Sequence, residues 1–283
     1  MSTPAESPGG SVDVHAETTA MAVAEHIAVV AAEGQRFADA AGRGPWEAQV
    51  AGCPGWSMRD LVRHLSEIHL WAAANVARRP GAKLDLDDRS ELIAPWPDLA
   101  VFWPADDELI DHYLRTNANL VGVLESAPPD LDAPTFLPAP SPLAMWARRQ
   151  AHETSVHRFD AEIATGTASG FDPVFAADGV SELLYGFYDD VSRPAGREFP
   201  VDRDRTMHFH AQDTDDHWYV TIGPRSITRP NVGEPVELTV AGAASDLYLA
   251  LWNRGDDATI SVTGDRAILD IWHACTGVRW DLD

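Results

Sequence analysis

The sequence predicts an α+β protein in which a bundle of four helices precedes a smaller domain of mixed strands and helices. Four long N-terminal segments repeat apolar residues at three- and four-residue steps, as amphipathic helices do. After about residue 170 the pattern changes to short alternating runs separated by brief helical segments. With 45% hydrophobic residues and 10 Trp, the chain has enough apolar side chains for real cores, which excludes general disorder.

The first two helices have clear boundaries. Helical spacing predicts the first over residues 16–41, ended by Gly42, Gly44 and Pro45. The second should begin after Ser57, with Asp60 three residues later as in a capping box, and run to about Arg78.

The third and fourth helices complete the predicted bundle. A Pro- and Trp-containing stretch over 92–104 leads to a helix over 106–126, and the Pro-dense segment 128–142 cannot be regular structure. The fourth helix is predicted over 142–165. Metal sites in such bundles are built from inward side chains on facing helices.

The C-terminal part is predicted as a separate α+β domain. A fifth helix over 173–190 and a linker around 193–197 precede strands at 206–211, 218–222 and 236–240. A helix at 243–253, a strand at 259–263 and a helix at 266–275 follow. We therefore expect a disordered tail (1–14), a bundle (15–170), a helix with linker (171–204) and an α+β domain (205–283).

Charge and cysteine content exclude several classes of partner. The chain has 21 basic and 44 acidic residues, a net charge of -23, and no basic stripe, so it should repel nucleic acid. Two cysteines, Cys53 and Cys275, cannot form a disulfide framework, which favours a reducing cytoplasm. Neither a signal peptide nor a long apolar run is visible, so we expect a soluble cytoplasmic protein without membrane partners.

Three side chains form a candidate metal site. Glu153 and His157 stand four apart on the fourth helix and point the same way. His64 shares an inward face of the second helix with Leu61 and Leu65. Two imidazoles and one carboxylate suit a divalent metal with a coordination position left for chemistry. The alternative is an ordinary helix face with ion pairs such as Glu153 to Arg149.

Other candidate residues have structural alternatives. Cys53 precedes a helix N-terminus, which can activate a thiol, although packing in the Pro-Gly turn is the favoured interpretation. Asp160 is placed either to orient His157 or to pair with an arginine. His69 and His152 flank the proposed ligands and are interpreted as structural or supporting. Three histidines could bind a second metal, but a solvated strand face is favoured for them: His208, His210 and His217.

Three motifs resemble one family. They are Cys-Pro-Gly-Trp-Ser-Met-Arg-Asp-Leu-Val-Arg-His-Leu (53–65), Glu-Thr-Ser-Val-His-Arg-Phe-Asp-Ala-Glu (153–162) and Asp-Leu-Tyr-Leu-Ala-Leu-Trp-Asn-Arg-Gly (246–255). Together they resemble the mycothiol-dependent maleylpyruvate isomerase family, within a wider DinB-like group of metal-binding four-helix bundles. The resemblance implies a sterol-carrier-protein-like C-terminal domain and zinc, or another divalent metal, held by His64, Glu153 and His157.

The resemblance also implies a function. The metal would activate mycothiol, a small thiol, as a cosubstrate for attack on a small electrophile. Arg254, facing the cleft between the domains, and Arg149 are the candidate cations for anionic groups, with helix capping as the alternative for Arg254. The sequence slightly favours S-transfer over cis-trans isomerisation of a maleylpyruvate-like substrate. A non-catalytic carrier or a sensor of metal or thiol remains open, as does a monomer or a homodimer.

Overall fold

The N-terminal part of the chain folds as four helices. The computed structural model describes residues 21–77, 95–99, 104–187, 198–224, 227–230 and 235–276. The bundle helices are α1 (Val23–Ala41), α2 (Met58–Ala77), α3 (Leu109–Ser126) and α4 (Pro142–Ala164), and a short 3-10 turn, Pro97–Leu99, precedes α3.

Side-chain caps set the start of two of these helices. At α2, the amide of Ser57 donates to Asp60 Oδ2 at 2.9 Å and the amide of Asp60 donates to Ser57 Oγ at 3.4 Å, as the sequence predicts. At α4, Ser141 Oγ accepts from the amide of Ala144 at 3.1 Å, and Pro142 takes the first helical position.

The four helices pack as a ring. Both α1 and α2 lie against α3 and α4, which puts α3 and α4 at opposite corners of the bundle. One core cluster fills one end with residues such as Trp71 and Trp146, and another fills the other end with residues such as Phe37 and Leu65.

The C-terminal part combines helices with one sheet. Helix α5 (Pro173–Glu182) continues into a π-helical turn, Leu183–Phe187. The strands are β1 (Arg205–Ala211), β2 (Asp216–Ile222), β3 (Ile227–Thr228), β4 (Leu238–Gly242) and β5 (Ser261–Gly264). Helix α6 (Ala244–Leu251) follows β4, and α7 (Ala267–Cys275) follows β5.

The described strands form a mixed sheet in the order β3-β2-β1-β4-β5. The β1–β2, β2–β3 and β4–β5 pairs are antiparallel, and β1 pairs with β4 in parallel. Buried Met207 and Phe209 alternate on β1 with half-buried His208 and His210. One core cluster joins the buried sheet face to α5, α6 and α7.

Helix α4 packs on the other bundle helices on one side and on the C-terminal elements on the other. Polar residues are therefore buried along most of its length. His152 Nδ1 lies 3.0 Å from the hydroxyl of Tyr248 on α6. Gly179 on α5 makes room for this ring, because a Cβ there would come within 2.4 Å of it. The core cluster of the sheet also includes Val156 of α4. Contacts of α4 therefore connect the two parts of the chain.

The α+β fold class predicted from the sequence is confirmed, while several boundaries differ. Helix α3 starts at Leu109, three residues later than predicted, and β4 spans Leu238–Gly242. Part of the predicted 259–263 strand is a 3-10 turn, Asp257–Thr259, because the Asp256 carboxylate accepts from the amide of Ala258 at 2.8 Å. Strand β3 was not predicted.

Some predictions fall on residues outside the described ranges. These are the N-terminal tail, residues 16–20 of the first predicted helix, the end of the fifth helix and the linker at 193–197. Met21 and Ala22 are described and are not helical, so α1 begins at Val23, later than predicted. The domain boundaries as a whole stay a prediction. Among the helices of the described ranges, none is both long and apolar enough to cross a bilayer.

Candidate metal centre

The structure brings His64, Glu153 and His157 together. Glu153 Oε1 lies 3.3 Å from His64 Nε2 and 3.2 Å from His157 Nε2. The two imidazole rings stand edge to face, with their centroids 5.2 Å apart. Helix α2 supplies the first side chain, and consecutive turns of α4 supply the other two, so facing helices converge as the sequence predicts.

The spacing of these atoms fits one small cation. Each residue offers a ligand atom, and these atoms all lie within 4.8 Å of one another. Ligands bound tetrahedrally at ~2.1 Å are roughly 3.4 Å apart, close to the two contacts seen here. Two imidazoles and a carboxylate are a ligand set typical of catalytic zinc and related divalent metals. The residues present therefore fit a divalent metal.

The Glu153 carboxylate is fixed through its second oxygen. Arg149, one turn earlier on α4, donates from Nη2 to Glu153 Oε2 at 2.9 Å. The Arg149 guanidinium also donates to Glu182 on α5 and lies against the rings of Phe187 and Trp252. The ion pair that competed with the metal interpretation is thus present, but it uses Oε2 and leaves Oε1 facing the imidazoles.

His157 is held by a carboxylate on its other nitrogen. Its Nδ1 lies 3.0 Å from Asp160 Oδ2. A carboxylate at Nδ1 keeps a proton on that nitrogen, so Nε2, which faces Glu153, is the nitrogen available to bind a metal once it loses its own proton. Such an arrangement supports the orienting role considered for Asp160.

Arg254 connects the C-terminal domain to this support. It donates from Nε to Asp160 Oδ1 at 3.0 Å and from Nη2 to Asp160 Oδ2 at 2.8 Å. Its Nη1 donates to the carbonyl of Trp252 at 2.8 Å. The direct contact of Arg254 or Arg149 with a substrate anion stays a prediction, because the structure gives both guanidiniums carboxylate partners.

Cys53 lies closer to this network than the sequence indicates. Its thiol is 3.6 Å from Asp160 Oδ2 and 3.6 Å from Arg254 Nη2, and the residue is buried. The side chain also belongs to a core cluster at one end of the bundle. Packing was the favoured interpretation, and the structure adds contact with the pair that supports His157.

Burial and neighbouring charges shift the pKa values of the three candidate ligands. Burial opposes charge on His157, but hydrogen bonds with Asp160, Cys53 and Glu153 raise the pKa of this imidazole well above its usual range. Burial lowers the pKa of His64, and Glu153 only partly offsets this. Although burial favours protonation of Glu153, the surrounding His157, His64 and Arg149 lower its pKa well below the usual range. Without a metal, these shifts favour a Glu153 carboxylate beside a protonated His157 and a neutral His64.

The flanking histidines lie apart from the three ligands. His69 Nε2 lies 3.0 Å from Thr154 Oγ1, and burial lowers the pKa of His69 to about 3, so its ring is neutral. His152 points to the other side of α4, with Nε2 2.9 Å from Asp178 Oδ2. Neither position conflicts with the supporting role that the sequence indicates.

Both parts of the chain match one protein family. Residues 27–162 match the mycothiol maleylpyruvate isomerase N-terminal domain, and residues 175–270 match the MDMPI C-terminal domain. The chain belongs to the mycothiol-dependent maleylpyruvate isomerase family. No curated protein matches its sequence.

Solved structures of this family share the fold. A crystal structure of the mycothiol-dependent maleylpyruvate isomerase superposes with a TM-score of 0.56 at 14% identity, covering 92% of this chain and 98% of that chain. A histidine-to-alanine mutant of that enzyme gives a TM-score of 0.56 at 13% identity, with the same coverage. At these identities the likeness shows the architecture, while the site must be argued from this chain's own residues.

Sequence reasoning missed a second buried polar cluster in this family member. Asp178 Oδ2 lies 3.0 Å from His26 Nε2, 2.9 Å from His152 Nε2 and 2.9 Å from Arg148 Nε. His26, His152 and Asp178 are almost fully buried. The one signal in the sequence was a charged residue inside the apolar run Phe-Ala-Ala-Asp-Gly-Val of α5, where an unpaired carboxylate would be costly.

Proposed function

We propose that the chain is a metal-dependent enzyme that activates mycothiol as a thiolate and catalyses cis-trans isomerisation of a maleylpyruvate-like substrate. The convergence of His64 Nε2, Glu153 Oε1 and His157 Nε2 is the observation that carries this proposal. Family membership supports the choice of thiol and reaction, because the matched domains are those of the mycothiol maleylpyruvate isomerase.

A divalent cation held by these three residues would supply one kind of chemistry, which is to keep a coordinating thiol deprotonated at neutral pH. The increase in thiol reactivity from this effect is limited. Lowering a thiol pKa from about 8.5 by ~2 units raises the thiolate fraction roughly 25-fold, while nucleophilicity falls about 8-fold for a Brønsted slope near 0.45. The net gain is about threefold, so positioning must provide most of the acceleration.

The chain's own residues provide that positioning. Arg149 fixes the orientation of Glu153 through Oε2, and the Arg254–Asp160 pair fixes the ring of His157 through Nδ1. His64 packs edge to face on Trp56, with ring centroids 4.7 Å apart. Each ligand is therefore held by a second interaction, as a preorganised site requires.

Isomerisation needs no net transfer of atoms. The thiolate sulfur adds to one alkene carbon, and the electron pair of the double bond moves toward the adjacent carbonyl. The resulting single bond rotates, and elimination of the thiolate restores the alkene in the trans form. Burial of Glu153 and His157, which are 6% and 2% exposed, limits water that would protonate the carbanion and trap the adduct.

S-transfer is a second candidate, favoured by one observation. Maleylpyruvate carries two negative charges, yet both predicted substrate-binding cations, Arg149 and Arg254, are paired with carboxylates. A less charged electrophile that keeps the thiol as a stable conjugate would suit these pairs better. The two reactions share the addition of the thiolate. In isomerisation the thiolate is then eliminated, whereas in S-transfer the carbanion takes up a proton from solvent and the conjugate is released.

One assay separates these outcomes. Metal-loaded protein is incubated with mycothiol and maleylpyruvate, and the products are followed by NMR and mass spectrometry. A trans product of unchanged mass, formed in excess over mycothiol, supports the proposal, whereas a conjugate that accumulates in step with thiol consumption establishes S-transfer instead. Substrate bound but left unchanged would identify a carrier and overturn the proposed activity.

Matched variants connect the activity to the centre. His64→Ala, Glu153→Ala and His157→Ala should each abolish turnover and metal retention. His273→Ala removes a half-exposed histidine of α7 that contacts Asp257 and Asn253, and should leave activity unchanged. Full activity in the triple-alanine protein would refute the metal-dependent mechanism.

A further inference from the structure

Two histidines face each other across the β1–β2 hairpin, away from the candidate metal centre. His210 on β1 and His217 on β2 are direct cross-strand partners. Their rings stack with centroids 4.1 Å apart at an interplanar angle of 12°. Both side chains remain accessible, at 28% and 34% exposure. Their imidazoles therefore lie face to face near the turn that joins β1 to β2.

A carboxylate in the hairpin turn meets both imidazoles. Asp215 Oδ1 lies 3.2 Å from His210 Nε2 and 3.6 Å from His217 Nε2. Asp215 has φ of 59°, a left-handed conformation that Asp and Asn tolerate better than most residues. The turn thus places the carboxylate beside the two rings.

A third histidine fixes the orientation of one ring. His208 Nε2 lies 2.9 Å from His217 Nδ1, which leaves His217 Nε2 to face Asp215. An imidazole bonded at one nitrogen presents the other in a fixed direction, as metal-bound histidines generally do. The rings of His208 and His217 also stack, with centroids 5.2 Å apart.

The geometry points to a second metal site, in which His210 Nε2, His217 Nε2 and Asp215 Oδ1 bind one divalent transition-metal ion. The three ligand atoms lie within 4.8 Å of one another, and the two carboxylate contacts match the ~3.4 Å expected between ligands of a tetrahedral ion. Imidazole ligands select Zn²⁺, Ni²⁺ or Cu²⁺ over Mg²⁺ and Ca²⁺. Water completes the coordination, because Asp215 is 88% exposed.

Such an ion would join the ends of two strands. His210 and His217 belong to β1 and β2, and the pair lies one step from the Ala211–Asp216 pair that closes the ladder. An ion that binds only the folded hairpin stabilises it by mass action. The site therefore stabilises the C-terminal domain and does not depend on the thiol chemistry of the bundle.

Zinc stoichiometry in full-length protein tests this site. Protein is stripped with EDTA, titrated with ZnSO₄ at pH 7.5 and analysed for bound zinc after gel filtration. Wild type should bind two equivalents, and the His210→Ala/His217→Ala double variant should bind one. Asp215→Asn keeps a residue that tolerates the left-handed turn and should weaken the second binding step at least tenfold. His273→Ala is the matched control, because it removes a partly exposed histidine near a carboxylate, and should still bind two equivalents.

Each outcome bears on only one of the two sites. Loss of one equivalent in the double variant supports the hairpin site, even if His64→Ala shows that the bundle binds no metal. Equal zinc uptake by wild type and the double variant overturns the hairpin site. Unchanged affinity in Asp215→Asn likewise removes Asp215 from the ligand set, and with it the site as proposed.

Discussion

Asp160 on α4 is held by Arg254, which follows α6 in the C-terminal domain, and Asp160 in turn holds the Nδ1 of His157. Both oxygens of the carboxylate accept from Arg254, at 3.0 and 2.8 Å. Bidentate pairs of this kind fix orientation as well as charge. The C-terminal domain thereby helps to set the geometry of a candidate ligand in the bundle.

Replacement of Asp160 or Arg254 should reveal that they act as a unit. Asp160→Asn should weaken metal binding by about 10- to 100-fold, the usual effect of losing a carboxylate behind a metal-bound histidine. If Arg254 acts only through Asp160, then Arg254→Ala combined with Asp160→Asn should cost no more than the larger single change in kcat/KM. Additive losses would show instead that Arg254 contacts substrate directly. Arg203→Ala, at an exposed pair in the same domain, is the control.

Gly52 provides a second test of the same pair. A Cβ at Gly52 would lie 2.0 Å from Asp160 Oδ1 and 2.8 Å from Arg254 Nε, so Gly52→Ala must displace the carboxylate or the guanidinium. We expect weaker metal binding and lower activity, measured by zinc titration and turnover. Gly122→Ala is the matched control, because a Cβ there meets nothing within 4 Å, and it should bind metal normally. Normal zinc affinity in Gly52→Ala would show that the pair is not needed for the centre.

Metal binding should release about one proton at neutral pH. The raised pKa of His157 leaves this imidazole protonated in metal-free protein, while the lowered pKa of His64 leaves that ring neutral. A metal must displace the proton of His157, so affinity should fall as pH falls. Calorimetric titration in buffers of different ionisation enthalpy measures the proton count. Zinc affinity that is independent of pH would contradict the assignment of His157.

The stability of the metal-free protein should depend on pH in the opposite direction to metal affinity. A raised folded-state pKa stabilises the fold fully below the unfolded value of about 6.5, and this contribution is lost as pH rises through the folded value. The His157 contribution to stability therefore grows toward acid, while metal binding improves toward alkali. Urea unfolding of EDTA-treated wild type and His157→Gln, at pH values below and above about 6.5, measures the difference in their free energies of unfolding.

Loss of Asp178 should destabilise the fold strongly. Its carboxylate is surrounded by His26, His152 and Arg148, and Asp178→Asn leaves buried donors and an arginine without their counter-charge. Removing one partner of a buried ionic group costs about 3–5 kcal/mol, whereas Arg203→Ala at a solvent-exposed pair should cost far less. Urea unfolding at neutral pH gives both values. A loss in Asp178→Asn no larger than in Arg203→Ala would contradict this account.

The Asp178 contribution should also depend on acid pH. Burial would raise the pKa of Asp178, but hydrogen bonds with His152 and His26 lower it below the usual range. A lowered folded-state pKa stabilises the fold above the unfolded value of about 3.9 and is lost as pH falls below it. The difference in free energy of unfolding between wild type and Asp178→Asn should therefore become smaller below about pH 4.

The sequence predicts local features of this protein better than contacts between distant segments. The spacing of Glu153 and His157 fixes their common direction on one helix, and the Ser57–Asp60 cap marks where α2 begins. The pairing of Arg254 with Asp160 joins residues 94 positions apart and depends on how the domains pack, which no local pattern encodes.

The contact between His210 and His217 on the hairpin is also one that the local sequence pattern does not predict. Alternation on β1 places His208 and His210 on one face, but the register that puts His210 opposite His217 follows from the turn between the strands. The left-handed conformation of Asp215, which brings its carboxylate to both rings, has no clear sequence signature. The sequence favours a solvated strand face, which agrees with the accessible rings, but it does not show that their nitrogens lie close to the Asp215 carboxylate.

The central claim is that His64, Glu153 and His157 share one metal ion. An anomalous difference map from crystals grown with zinc, collected on either side of the zinc edge, tests it most directly. The account predicts a peak about 2.0–2.2 Å from His64 Nε2, Glu153 Oε1 and His157 Nε2. Active, zinc-loaded protein whose map shows no peak between these three side chains would contradict it.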